Sequence, residues 1–275
     1  MIHIQRRVIA LLILTLTALL AAPIAASPTS ADARPAGAAP ASTPTPKPSP
    51  RPNVMVALVL GQSNAANFGE SKRVAGPKVL NLYKGRLYRA RDPLRGANGE
   101  WGSVWTRLGD KLIAERLFDQ VVFVPAAVGA TEIAQWAPGG LLHEWIMNAI
   151  DDAKKSRLKI THVLWHQGES DGVLFTSKAD YKQRFWAILA SIRAKGVGAP
   201  VFVAVATRCG KYAANPEVQQ AQRELVDSTA GVFPGPDTDQ LDESFRYDGC
   251  HFSTNGLDVH AQLWVAQLKA YLATK

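Results

Sequence analysis

Val54-Met55-Val56-Ala57-Leu58-Val59-Leu60-Gly61-Gln62-Ser63-Asn64 is an apolar run that stops abruptly on a Gly, a Gln, a Ser and an Asn. A run of that length, rich in Val and Leu, predicts a strand covered on both faces, as in a parallel sheet. In open α/β sheets, ligands bind just beyond the carboxyl ends of the strands. Ser63 therefore stands where a reactive hydroxyl would be useful, and the question is whether the chain supplies partners for it.

Downstream, strand and helix signals alternate. Val79 to Tyr83 reads as a short strand, and Ser103 to Phe118 as a helix with Ser103 as its N-cap. Val121 to Val128 is a second buried strand closed by Gly129, and Leu141 to Arg157 is helical. Ile160 to Trp165 is a third strand, ended by His166-Gln167-Gly168-Glu169-Ser170-Asp171. A long helix over Ser177 to Lys195, a strand over Pro200 to Thr207 and helices over Glu217 to Ser228 and Asn255 to Leu272 complete the pattern. This alternation predicts an α/β domain: a central parallel sheet with helices on both faces. Polar residues collect after the strands, which puts the expected site on that edge.

Before the first strand the composition changes twice. Arg6 and Arg7, an apolar run from Val8 to Leu20 and the small residues Ala21 to Ser27 have the make-up of a secretory signal peptide, with cleavage near Ala26. The run falls short of the ~20 residues a membrane span needs. No Cys follows it to carry a lipid, so a secreted protein with no membrane association after cleavage is expected. Residues 27–52 hold eight of the 17 prolines and form a solvated, extended linker, either a stalk or a leader without a role. Residues 53–275 are expected to form one domain.

The formal charge of +8 overstates that domain. Five basic residues and one acid precede it, leaving 26 against 22, or +4. With no Lys/Arg stripe apparent along the sequence, nucleic acid is not an expected partner. The two cysteines, Cys209 and Cys250, leave two readings, a single disulfide or two free buried thiols.

A serine nucleophile needs a base to take its proton, and an acid that fixes the base's tautomer and stabilises its charged form. It also needs donors facing the developing oxyanion. Of the six histidines, His3 leaves with the signal segment, His162 and His166 fall on or at the end of a strand, and His143 and His260 fall in helices. His251 alone sits in a loop with an acid nearby, in Asp248-Gly249-Cys250-His251. The chain thus offers Ser63, His251 and Asp248 for proton transfer, with the Gly129 N–H and the Gln167 amide as donors. Glu169, at the end of the third strand, competes with Asp248 as the acid, or else holds Gln167 or a loop.

Four blocks occur in order: Gly61-Gln62-Ser63-Asn64, Gly129-Ala130-Thr131, Trp165-His166-Gln167-Gly168-Glu169-Ser170-Asp171, and Asp248-Gly249-Cys250-His251-Phe252. Together they resemble the conserved blocks of the SGNH/GDSL hydrolase superfamily. The Gly-Gln-Ser-Asn and Gln-Gly-Glu forms look like its sialate O-acetylesterase and family-six carbohydrate esterase (acetylxylan esterase-like) branch. The resemblance implies a three-layer α/β/α, flavodoxin-like sandwich, with Ser63 as nucleophile, His251 as base and Asp248 orienting it. It implies an oxyanion hole made by the N–H groups of Ser63 and Gly129 and the side chain of Gln167. The third block carries Gln167 where most of the superfamily has Asn.

The resemblance further implies a serine esterase that removes O-acetyl groups from an acetylated glycan, such as acetylated xylan or sialic acid. Peptidoglycan O-acetyl groups, small lipid esters and a non-catalytic glycan-binding domain are the competing readings. Gln62, Asn64, Trp101 and Trp136 are the candidate substrate contacts; each Trp has burial in packing as its alternative. No cofactor is expected. No metal set is apparent, since His-Glu-x-x-His is absent and two cysteines are too few for a structural zinc site without histidines. The sequence assigns no oligomeric state.

Overall fold

A computed structural model describes residues 53–275; the expected signal segment and Pro-rich linker lie outside the described residues. Strand β1 (Val54–Gly61) lies in the middle of a seven-stranded sheet. Its partners are β2 (Val79–Tyr83), β3 (Arg86–Arg89), β4 (Gln120–Ala127), β5 (His162–His166), β6 (Val201–Val205) and β7 (Val232–Asp237). The order is β3-β2-β4-β1-β5-β6-β7, parallel throughout except for β3.

The side chains of β1 alternate between two cores, as strand geometry requires. Val56, Leu58 and Leu60 pack with Trp136, Ile146, Phe185 and Val218. These come from α2 (Ile133–Trp136), α3 (His143–Lys155), α5 (Lys178–Ala194) and α6 (Pro216–Glu224). Met55, Ala57 and Val59 pack with Trp105, Leu108, Trp264 and Leu268. These come from α1 (Val104–Ala114) and α7 (Thr254–Leu272). The expected three-layer α/β/α sandwich is the fold.

Departures from the expected elements have local causes. Helix α1 stops at Ala114 rather than Phe118, and Arg116 adopts a left-handed φ of 57° that turns the chain back. Ser103 occupies the N-cap position but its hydroxyl donates to Asp92 Oδ1 (2.6 Å) instead of capping. Helix α6 ends at Glu224, which leaves room for the unexpected β7. That strand contains Pro234 and Pro236, which argue against a central strand but are tolerated at a sheet edge.

The other unexpected strand, β3, forms an antiparallel hairpin with β2 through Lys84 and Gly85, both at positive φ. Two positive-φ residues are what a tight two-residue hairpin requires. The hairpin and the loop after it carry Lys84, Arg86, Arg89, Arg91 and Arg95, all exposed, and three of them (Arg89, Arg91 and Arg95) line one cavity.

Strand β1 can end beside β5, just before Ser63, only because residue 61 is glycine. Gly61 has φ +142°, and a Cβ there would lie 1.9 Å from the His166 carbonyl oxygen of β5. This close approach brings the ends of β1 and β5 together.

Candidate active site

Ser63 follows β1 and begins a short 3-10 turn, Ser63–Ala65. It lines a cavity of about 490 Å³ together with Gln62, Phe68, Gly129, Glu169, Leu174 and His251. His251 reaches the cavity from the loop before α7. Its ring stacks on Phe68, with centroids 5.3 Å apart. Among the described residues no hydrogen bond joins Ser63 Oγ to His251. Such bonds are often long without substrate and tighten when it binds.

The acid beside His251 is Asp248. Its Oδ2 lies 2.6 Å from His251 Nδ1, and its Oδ1 accepts the N–H groups of Cys250 (2.9 Å) and His251 (2.7 Å). Burial pushes the Asp248 carboxyl up, but these hydrogen bonds outweigh it and hold the carboxyl below its ordinary value. Two further features brace the loop. Cys250 is disulfide-bonded to Cys209, which answers the open question of the thiols. Arg246 is buried, stacks on Phe252 and donates to the carbonyls of Leu241, Cys250 and Thr238.

Glu169 is directed elsewhere. Its Oε1 accepts from Asn64 Nδ2 (2.8 Å) and lies 3.4 Å from His166 Nε2, all in the interior. Asn64 also donates to the Cys250 carbonyl (3.3 Å). Asn64 is therefore an internal tie between the serine turn and the histidine loop, and the expectation that it contacts substrate is corrected.

Gln167 also departs from expectation. It is fully buried and absent from the cavity lining. Its Nε2 donates to Thr131 O (2.9 Å) and Asp171 Oδ2 (2.5 Å), and lies 3.3 Å from Gln62 Oε1. Because Thr131 O can only accept, the contacting atom is the nitrogen, and its two hydrogens are used inside the protein. The next residue locks this arrangement. Gly168 has φ +149°, and a Cβ there would meet Gln222 Nε2 at 2.2 Å.

Gln62 has the opposite disposition. Its Oε1 is approached by the N–H groups of Ser170 (3.1 Å) and Gly168 (3.4 Å) as well as by Gln167 Nε2. Backbone N–H groups only donate, so this atom is the oxygen. The Gln62 Nε2, which has no partner among the described residues, is left as the free polar end of a cavity-lining side chain. The Gly129 N–H, in turn, is held by Asn98 Oδ1 at 2.8 Å, and Asn98 is exposed.

The two candidate tryptophans separate. Trp136 is fully buried and donates to Thr131 Oγ1 (3.0 Å), so it packs rather than binds, correcting its substrate-contact expectation. Trp101 is 56% exposed, with the Lys72 ammonium over its ring, but it does not line the cavity. Asn98, Arg246 and Phe68 were not singled out from sequence; Asn98 and Phe68 gain their places through contacts distant along the chain, Arg246 through carbonyls within eight residues of it. Among the described residues no group of three or more His, Cys, Asp and Glu is arranged to hold a metal ion.

The profile of the family described as "Carbohydrate esterase, sialic acid-specific acetylesterase" matches residues 53–268. The chain belongs to this family. It is therefore an ester hydrolase, of a family that removes O-acetyl groups from carbohydrates. The Arabidopsis thaliana protein named "Probable carbohydrate esterase At4g34215" is 42% identical over 48 residues. That alignment spans 18% of each chain, so the matched stretch is a small part of the relative's length. The solved structure of the Arabidopsis protein superimposes with a TM-score of 0.66 at 21% identity, covering 81% of this chain and 99% of that one. NanS follows at 0.58 and 15% identity, with 81% and 99% covered. The psychrotrophic esterase EstA from Pseudoalteromonas sp. follows at 0.50 and 15%, with 79% and 98% covered. At these identities the structures speak to the fold.

Proposed function

We propose that the protein is a secreted serine esterase that removes O-acetyl groups from carbohydrate through a Ser63-His251-Asp248 triad and an acetyl-enzyme. The observation that carries the triad is the pairing of His251 Nδ1 with Asp248 Oδ2 at 2.6 Å, on a loop lining the same cavity as Ser63. An acceptor on Nδ1 keeps the proton there and leaves Nε2 free to act as base. The depressed Asp248 carboxyl stays ionised and can stabilise the imidazolium that forms.

In the first half-reaction His251 takes the Ser63 proton while Ser63 Oγ bonds to the acetyl carbonyl carbon. The tetrahedral intermediate collapses, the bond to the sugar oxygen breaks, and that oxygen leaves with the proton from His251. Water then gives a proton to His251 and attacks acetyl-Ser63. Collapse releases acetate, and the proton returns to Ser63.

The oxyanion donors follow from the amide orientations. The Ser63 N–H and the free Nε2 of Gln62, both on residues that line the cavity, serve as donors, whereas Gln167 acts behind them by contacting Gln62 Oε1. The Gly129 N–H joins when the exposed Asn98 side chain swings off it. Export is supported by the signal-like segment 1–26 and by the Cys209–Cys250 bond, which suits an oxidising compartment.

A fluorophosphonate should label Ser63 and abolish hydrolysis of 4-nitrophenyl acetate, with the adduct mapped by peptide mass. Labelling elsewhere with activity lost, or full activity in Ser63→Ala, would sink the triad.

A further inference from the structure

A larger cavity, about 730 Å³, lies outside the site just described. Tyr83, Tyr88, Arg89, Arg91, Arg95 and Glu100 are among its lining residues. It is bounded by the β2–β3 hairpin and the loop 91–100. That loop is built rather than slack. Buried Asn81 accepts the Arg95 N–H (2.8 Å) and donates to the Arg95 carbonyl (3.1 Å). Buried Asn67 accepts the Leu94 N–H (2.7 Å) and donates to the carbonyls of Leu94, Ala97 and Asn98. Asp92, also buried, accepts from Ser103 Oγ, Thr106 Oγ1 and the Arg73 N–H.

The arginines here form no ion pair among the described residues. Among the described residues the arginine ion pairs belong to Arg73, Arg107, Arg184 and Arg223, and none to Arg86, Arg89, Arg91 or Arg95. One of the groove's cations rests on an aromatic face of its lining: the Arg95 guanidinium lies 4.5 Å from the Tyr88 ring centre. A guanidinium laid flat on a ring keeps its N–H edge free to take a carboxylate with two parallel hydrogen bonds. Glu100 is the exposed acid in the lining; Asp92 is buried and satisfied.

The loop also ties this cavity to the catalytic one, because Asn98 Oδ1 meets the Gly129 N–H at 2.8 Å. The loop that lines the groove is thus one hydrogen bond from Gly129, a lining residue of the Ser63 cavity. We propose that the groove is an accessory site for a carboxylate-bearing sugar unit of a longer glycan, held by Arg91 and Arg95 while an acetylated unit occupies the Ser63 cavity. It rests on the glycan deacetylase reading. A concave pocket bounded by tyrosines fits a few sugar units better than a nucleic-acid duplex, which calls for a longer basic stripe.

The test is calorimetric binding at fixed low salt to three probes: a xylo-oligosaccharide carrying glucuronic acid, the same oligosaccharide with its carboxyl reduced, and a short polyphosphate. The acidic oligosaccharide should bind at least about tenfold more tightly than the reduced one. Arg91→Gln/Arg95→Gln should erase that difference and leave 4-nitrophenyl acetate hydrolysis within about twofold of wild type, since neither arginine lines the Ser63 cavity. Equal binding of acidic and reduced forms, or a double variant that still discriminates, overturns the proposal. Polyphosphate binding more tightly than the uronate and displacing it overturns the saccharide assignment. The two readings fail separately. Arginine-dependent uronate binding without ester hydrolysis defeats the esterase reading alone, and ester hydrolysis without that binding defeats the groove alone.

Discussion

At Gln62 the orientation of one amide decides which glutamine can face a reacting acetyl group. Its oxygen is fixed by Ser170 and Gly168 N–H groups and by Gln167, so its nitrogen is the group left over. Gln62→Ala should lower kcat by about 10²–10³-fold with little change in KM, as loss of an oxyanion donor does; steady-state kinetics on 4-nitrophenyl acetate would show it. A raised KM at unchanged kcat would make Gln62 a ground-state contact instead. Asp248→Asn should cost about 10⁴-fold in kcat, because the imidazole loses its charge partner and tautomer control. Glu169→Gln should cost far less, since Glu169 contacts Asn64 and His166 and not His251. The pairing of Asp248 with His251 was legible because Asp-x-x-His spacing is a local property, and the place of Ser63 in the same cavity because it directly follows an apolar strand. The inward turn of the Gln167 amide was not, because it depends on Thr131 O, 36 residues from Gln167.

Among the elements, β1, β2 and β4 could be read from apolar runs buried on both faces. The edges could not. Strand β3 has the composition Arg-Leu-Tyr-Arg and β7 carries two prolines; both exist because a neighbouring strand offers its open edge. Helix α4 (Glu169–Leu174) escaped notice because it is short and follows directly on the polar block after β5. It contains Asp171, whose Oδ2 accepts from Gln167 and from the Ile133 N–H. Burial pushes the Asp171 carboxyl up to about 6 from 3.8, against those hydrogen bonds. The folded state therefore holds this proton more tightly than the unfolded chain. Between about pH 4 and 6 unfolding releases a proton, and this group's contribution to stability falls as pH rises. Above that window both states are ionised and the cost is constant. Asp171→Asn should flatten the slope between pH 4 and 6 in urea unfolding; an unchanged slope would show that Asp171 is not its source.

Across the whole domain, one covalent link joins the end of the β6 loop to the His251 loop. The Cys209–Cys250 bond spans 41 residues and ends between Asp248 and His251. A loop of that size is worth roughly 3–4 kcal/mol of chain entropy, or about 10 °C in Tm for a domain of this length. Cys209→Ala/Cys250→Ala should melt lower by that order in calorimetry. It should also lose activity well below its melting temperature, as the His251 loop loosens. Full activity up to the lowered Tm would mean that Arg246 and Asn64 hold the loop unaided. The domain presents the Ser63 cavity and a separate groove lined by Arg89, Arg91 and Arg95, with the family placing it among carbohydrate esterases. The direct measurement is acetate release from O-acetylated sialic acid, acetylated xylan and O-acetylated peptidoglycan, by wild type and by Ser63→Ala. The account predicts release from at least one of these by the wild type and background levels from Ser63→Ala. No release from any of the three, or equal release by the variant, would contradict it.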